Sequence, residues 1–253
     1  MKRYIFLIPC FILFLGCGSS EQTSNKIDPS PDSSITKTTA INDQDEEFEV
    51  SFPTLEPINQ SEINDELTAT LKGILKAVDN KNISKLLTYF DKNIKVSFGG
   101  DSGIEGLKSY WKLNKNPRKS EIWQEIKNAI EIGGTFEDDN NYWTPYVFTN
   151  FPEAYDVFEN AAVVGTAVRM RDKPSLKGEI IAELDYEIVK LTNTEGQQRE
   201  TIGNEIHYWN EVIRQNNQKG YIYGKYLRSP IDYRIGMTND SGKWLIDIFV
   251  AGD

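Results

Sequence analysis

One histidine, His207, and two cysteines, Cys10 and Cys17, are all that the 253 residues offer of the side chains most used for nucleophilic and metal chemistry. Both cysteines lie in the first seventeen residues. The rest of the chain therefore cannot assemble a Cys/His zinc site, a Cys–His nucleophile pair or an internal disulfide. A Ser-His-Asp arrangement would have to use His207, which sits on the strand-like run Glu205-Ile206-His207-Tyr208-Trp209, and no nucleophile elbow accompanies it. His207 reads as a structural or surface residue. The Gly99-Gly100 and Gly133-Gly134 pairs read as turns, since no glycine pattern matches a phosphate- or dinucleotide-binding loop. What remains is a pair of carboxylates acting on a glycan, for which Asp101, Glu105, Asp138 and Asp139 are available. With 38 acidic residues, chance alone supplies such pairs. No catalytic residue, metal or cofactor is expected.

Charge narrows the partners. The formal net charge is −10 and the sequence pI about 4.8, with no basic stripe, which argues against nucleic acid. Hydrophobic residues at 39% suit a globular chain, whereas a mean hydropathy of −0.49 points to a polar, unpacked segment. The N-terminus supplies an export signal: Lys2 and Arg3, then an apolar run from Tyr4 to Leu15 that is short for a membrane span. The run ends in Leu13-Phe14-Leu15-Gly16-Cys17 and Gly18-Ser19-Ser20 follows. This resembles the lipobox of bacterial lipoproteins, with Phe14 where a Leu is usual. The resemblance implies residues 1–16 as a signal peptide and palmitate-type acyl chains on Cys17, which hold the protein to a membrane at about 0.8 kcal/mol per buried methylene. An ordinary secretory signal with an incidental cysteine is the alternative. Loss of Lys2 and Arg3 with the leader lowers the net charge by two, from −10 to −12. Gly18 is not the aspartate that retains such proteins at an inner membrane, so the outer membrane of the bacterial envelope is favoured where that sorting rule applies. Residues 17–59 are expected to be a disordered linker, since Ser30-Pro31-Asp32-Ser33-Ser34 and Asp43-Gln44-Asp45-Glu46-Glu47 cannot offset the entropy of ordering.

Residues 60–155 are expected to form an α+β domain. Ile63, Leu67, Leu71, Ile74, Leu75 and Val78 fall at helical spacing with Ser61 as N-cap, and Asn82 caps a second short helix. Ile94, Val96 and Phe98 alternate as a strand. Ile104–Trp111 and a Ser120-capped stretch through Ile122, Trp123, Ile126 and Ile130 predict further helices. The stretch from Lys76 to Gly100 resembles the opening of cone-shaped NTF2-like domains, in which helices precede a curved sheet. Such folds often close on a strand like Asp240-Ser241-Gly242-Lys243-Trp244, so a C-terminal hairpin over 231–253 could complete this domain. Tyr142, Trp143, Tyr146, Phe148 and Phe151 crowd one stretch; core at the junction is the favoured reading, a sugar-stacking platform the other.

Residues 159–229 are expected to be a small all-β unit of short alternating strands. Val163 to Ser175 resembles the opening of bacterial SH3 (SH3b) domains. Glu179–Leu184, Tyr186–Leu191, Trp209-Asn210-Glu211-Val212 and Gly220–Leu227 resemble that family's later strands in order. Lys173 departs from a frequent Gly, and the polar insert Thr192–Asn204 is long. The resemblance implies an SH3-like barrel that binds rather than catalyses, with peptidoglycan peptides or an envelope protein as ligand. By position it nominates Arg171, Lys173, Trp209, Tyr223 and Tyr226 as the ligand groove. For Trp209 and Tyr226 barrel core is the favoured reading, and Arg171 reads alternatively as a loop pin. The expectation is thus a non-catalytic, lipid-anchored binding protein. The alternatives are a glycan- or peptide-processing envelope enzyme with a carboxylate pocket in the α+β domain, and a purely structural envelope protein.

Overall fold

The spacing of Leu67, Leu71, Ile74 and Val78 puts four apolar side chains on one stripe, and α1 (Asp65–Asp79) buries all four. The structure is a computed structural model and describes residues 52–100, 102–192 and 198–252. The leader, Cys10, Cys17, the linker as far as residue 51, Asp101 and part of the 192–204 insert lie outside the described residues. Asn64, not Ser61, caps α1: its side-chain oxygen accepts from Leu67 N at 2.8 Å. Ser61 instead opens a 3-10 turn and its hydroxyl donates to Asn59 Oδ1 at 2.8 Å, leaving Ile63 exposed. The short α2 (Ile83–Leu86) is capped by Asn82, which accepts from Lys85 N at 3.0 Å.

β1 (Phe90–Lys95), α3 (Gly103–Tyr110), α4 (Ile122–Glu131), β2 (Thr135–Asp138), β3 (Asn141–Thr144) and α5 (Tyr146–Asn150) follow. The closing hairpin, β12 (Arg234–Asp240) and β13 (Lys243–Val250), completes an open sheet of order β1-β13-β12-β3-β2. β13 runs parallel to β1 and antiparallel to β12. One core joins this sheet to α1 and α4 through Leu67, Ile74, Ile126, Tyr142, Trp244 and Phe249.

Between β3 and β12 the chain builds β4 (Asn160–Val163), β5 (Val168–Arg171), β6 (Ile180–Leu184), β7 (Ile188–Leu191), β8 (Arg199–Ile202), β9 (Glu205–Ile213), β10 (Lys219–Tyr223) and β11 (Leu227–Arg228). Their order is β11-β4-β7-β9-β10-β5-β6, with β8 paired to β9. The expected closed barrel is corrected here. Among the described residues the path ends at β11 and β6, which share no ladder, so the sheet is open. After Leu184 the chain leaves the β5–β6 ladder through a turn that holds Tyr186 at φ 53. β6 then pairs with β5, whereas β7 pairs with β4 and β9. The fold is therefore one of mixed helices and two open sheets.

The chain enters the body earlier than residue 59, where the expected linker ends. Leu55 is buried, Leu55 N donates to Tyr186 O at 2.8 Å, and Ile188 N donates to Pro53 O at 2.8 Å. Farther on, Gln60 N donates to Gly134 O at 2.9 Å and Gln60 Oε1 accepts from Phe136 N at 2.8 Å. Residues 52–60 thus form a strap that bonds to both sheets. Beneath it, Arg214 grips Glu187 through two bonds of 2.9 and 2.7 Å and stacks over Phe52 at 3.7 Å. Both ionic side chains are almost buried.

Gly220 allows a close approach of the second sheet's strands. A Cβ there would lie 2.7 Å from Met170 Cγ, 2.8 Å from Ile181 Cδ1 and 2.9 Å from Arg171 O. Gly220→Ala is expected to lower the unfolding free energy by about 1–3 kcal/mol in urea titrations, an overpacking cost. Glu187→Ala strands Arg214 and is expected to cost about 3 kcal/mol, while the double replacement Glu187→Leu/Arg214→Met costs clearly less.

Candidate functional site

Four of the five residues nominated from the sequence line one cleft of about 330 Å³ in the second sheet: Arg171, Trp209, Tyr223 and Tyr226. Strand register explains it, because Tyr221 sits opposite Arg171 and Tyr223 opposite Trp209, so β10 links the two. Lys173 is not among the lining residues; it projects to solvent with Nζ 3.6 Å from Asp172 Oδ2. Trp209 and Tyr223 are 2% and 3% exposed and serve as core as well as lining. Tyr226 is 42% exposed and offers its ring to a ligand. Arg171 pins the 172–178 loop, with Nη1 donating to Gly178 O at 2.6 Å.

The loop and the β8–β9 hairpin are held together by one carboxylate. Glu200 Oε2 accepts from Trp209 Nε1 at 2.7 Å and from Leu176 N at 3.0 Å. Tyr223 Oη lies 3.0 Å from both Glu200 O and Glu205 O and accepts from His207 N at 3.1 Å. Arg169 and Arg171 line this cleft and no carboxylate does. Aromatic faces, the exposed Leu176 and two guanidinium groups suit a ligand with an apolar body and an anionic group. Sequence reasoning missed Glu200 and Ile202 because the 192–204 segment read as polar insert, and Leu176 because it lies in the 172–178 loop rather than on a strand. Its signal was Gly203-Asn204: Gly203 at φ 63 opens a two-residue hairpin turn between β8 and β9.

A second cleft, of about 560 Å³, lies between α4 and the β9–β11 region, with Tyr226 lining both. Most of its charges are matched within the protein. Lys225 Nζ lies 2.7 Å from Glu205 Oε2, a bond that holds the Glu205 carboxyl below its ordinary range. Lys127 reaches Asp79 at 2.9 Å and Glu131 at 3.6 Å. His207, with Nε2 3.7 Å from Glu205 Oε2, is pushed down by burial despite that neighbour. Arg228 is buried; Nη2 donates to Tyr233 O at 2.5 Å, while Nε has no hydrogen-bond partner and stands 3.9 Å from Asp232 Oδ2. The Glu125 side chain makes no hydrogen bond or ion pair among the described residues, and burial pushes its carboxyl up. Its signal in the sequence was position: Ile122, Glu125 and Ala129 share one helical face with Ile122 and Ala129 buried.

Of the carboxylates considered for glycan chemistry, Asp101 lies outside the described residues, and Glu105, Asp138 and Asp139 do not line these two clefts. Glu105 is paired with Lys108 at 2.7 Å, and Asp138 accepts from Asn141 and Asn140, which lowers its carboxyl. Among the described residues no group of three or more His, Cys, Asp or Glu side chains could hold a metal ion. Of the crowded aromatics, Tyr142 and Tyr146 are core, and burial pushes the Tyr146 phenol up to about 12. Trp143 and Phe148 are half-buried, 5.1 Å apart between ring centroids, in a groove of about 530 Å³ with Gln60 and Thr149.

Comparison with protein-family models, curated proteins and solved structures gives no match. The two clefts therefore carry the functional reading. Because burial raises the Glu125 carboxyl, the folded chain holds that proton more tightly than the unfolded one, and stability falls as pH rises through the carboxylate range. Glu125→Gln removes this penalty. Urea titrations should find the variant more stable than the parent at about pH 7, with the difference shrinking toward about pH 4.

Proposed function

We propose that the chain is a bacterial lipoprotein, anchored by acyl chains on Cys17 in the envelope, whose residues 159–229 form an SH3-like module that binds an envelope ligand without catalysis. Residues 60–155 with the closing hairpin act as its α+β support, of NTF2-like type. The outer membrane is the favoured location, and a wall peptide or an envelope protein the favoured ligand. The observation that carries this reading is the cleft at Arg171, Trp209, Tyr223 and Tyr226. In a chain of net charge −10, this cleft has two arginines and no acid among its lining residues. Complementarity then favours the carboxylate of a peptide.

A second reading draws on the larger cleft. Glu125, raised by burial, shares that cleft with Glu131, Glu205 and Asp232, a setting in which a carboxyl can act as a general acid on a glycan or peptide.

One experiment separates the two: co-sedimentation of the chain starting at Gly18 with purified peptidoglycan sacculi. Tyr223 and Arg171 are poor choices for substitution because both hold the fold, so the variant is Tyr226→Ala/Leu176→Ser, which alters two exposed residues of the cleft. The parent is expected to pellet, and the variant, with unchanged thermal midpoint, to bind about tenfold more weakly, a difference of about 1.4 kcal/mol. No pelleting of the parent overturns the wall-ligand reading in favour of a protein partner. Release of soluble fragments from the sacculi moves the function to the larger cleft.

A further inference from the structure

The first sheet carries an aromatic groove that neither cleft uses. Side chains alternate along β3: Tyr142 and Thr144 turn into the core, so Trp143 stands on the opposite face. Of the five indoles, Trp143 is the one that is not buried; Trp111, Trp123, Trp209 and Trp244 are 7%, 4%, 2% and 1% exposed. Its position is fixed from three sides. Nε1 donates to Glu137 Oε2 at 2.8 Å, and Phe148 stands 5.1 Å away between ring centroids at an angle of 52°. Gly236 lies opposite on β12, where a Cβ would sit 3.0 Å from Trp143 Cη2. Phe148 is held in turn by the Arg234 guanidinium, 4.7 Å from its ring centroid.

The two rings border a groove of about 530 Å³, within the ordinary size of a small-molecule site. Its polar lining keeps hydrogen-bonding atoms open. Gln60 Oε1 is engaged by Phe136 N, which leaves the Nε2 amide to donate. Glu137 gives Oε2 to Trp143, and Asn150 gives Nδ2 to Tyr146 O and Thr149 Oγ1, so Glu137 Oε1 and Asn150 Oδ1 are left as acceptors. None of these three atoms has a partner among the described residues. No cation lines the groove and Glu137 is its one carboxylate, which disfavours an anionic ligand. Aromatic faces are negative at the centre and attract the polarised C–H groups of a sugar ring, while amide and carboxylate atoms at the rim match its hydroxyls. We infer that this groove binds an uncharged saccharide, a pyranose ring stacking on Trp143 and Phe148 and its hydroxyls bonding to Gln60, Glu137 and Asn150. The shared chemistry belongs to β-linked glucose chains and to β-linked N-acetylglucosamine chains. The site lies on the first sheet and does not rest on the Arg171 cleft of the second.

The test reads Trp143 directly, since acrylamide quenching of the full chain's fluorescence reports the one indole that solvent reaches. Cellohexaose and chitohexaose are titrated at millimolar concentration, with calorimetry giving the affinity. Neither carries a peptide, so failure here and failure of the peptide cleft are distinguishable. Bound sugar is expected to shield Trp143 and lower the quenching constant. Protection by cellohexaose assigns the plain hexose, and protection by chitohexaose alone assigns the N-acetylated sugar; either supports the inference. Trp143→Ala is expected to weaken binding at least about tenfold, and Trp143→Phe, which keeps a ring, to restore most of it. Phe148→Ala leaves the Trp143–Glu137 bond in place and serves as a second variant should Trp143→Ala fail to fold, with a similar loss expected. The inference falls if neither oligosaccharide shields Trp143. It falls equally if polygalacturonate, an acidic control, shields it better than both, or if folded Phe148→Ala binds like the parent.

Discussion

The bidentate contact between Glu187 and Arg214 is what the joining of the two sheets depends on. Two nearly buried charges are stable together because each fills the other's hydrogen-bonding capacity, with Gln218 taking one more guanidinium N–H at 2.8 Å. The pair sets the bend between β6 and β7, since Glu187 lies in it, and Glu187 O accepts from Val163 N at 2.8 Å. It also gives Phe52 a flat cation to lie on. The strap that starts at Phe52 then crosses to β2 and the turn before it. A small buried cluster of Leu55, Tyr146, Val147, Ala162 and Ile188 fills the space between. Remove the charge pair and the strap loses its first hold, and with it the contact that seats α5 and β4 on each other.

From that junction the positions of both clefts follow. β7 beside β4 fixes β11 at the outer end of the sheet, and the 3-10 turn Gly224–Tyr226 must lie between β10 and β11. Tyr226 therefore borders the aromatic cleft on one side and the charged cleft on the other. α4 reaches the charged cleft because its apolar stripe is committed to the first core, which leaves Glu125 and Lys127 on the flank that faces the second sheet. The packing of one half thus supplies residues to a cleft whose other wall belongs to the other half.

Local signals were legible in the sequence wherever one element decided the outcome. The stripes of α1 and α4 are periodicities that burial enforces. Arg171, Trp209 and Tyr223 were nominated together by their positions in the resemblance, and antiparallel register brings them together within one sheet. What was not legible depended on competition or distance. Ser61 and Asn64 both had capping side chains, and the choice fell to Asn64 because Ser61 is drawn back to Asn59. The 52–59 segment, Phe52-Pro53-Thr54-Leu55-Glu56-Pro57-Ile58-Asn59, is too short and proline-broken to show a helix or strand period, yet its backbone is ordered by residues more than a hundred positions away. Closure of the second sheet would need a ladder between β6 and β11, a long-range pairing that side-chain patterning does not announce. Arg228 and Glu125 are separated by about a hundred positions, and neither sits in a motif.

The same acidic chain makes two clefts of opposite character, and the difference lies in where its carboxylates are committed. Around the aromatic cleft the neighbouring acids are drawn away from the opening. Glu200 is held behind Trp209, Asp172 accepts from Glu179 N at 2.7 Å, Asp185 accepts from Ala167 N at 2.5 Å, and Glu183 sits 3.6 Å from Arg169. Glu200, Asp172 and Asp185 commit their charge to backbone N–H groups and Glu183 to Arg169, so Arg171 faces the cleft without a carboxylate among its lining neighbours. In the charged cleft the acids are committed to bases instead: Asp79 and Glu131 to Lys127, Glu205 to Lys225, and Asp232 to Arg228. Carboxylates committed to backbone leave arginines facing one opening, whereas carboxylates committed to side-chain cations leave the other nearly neutral.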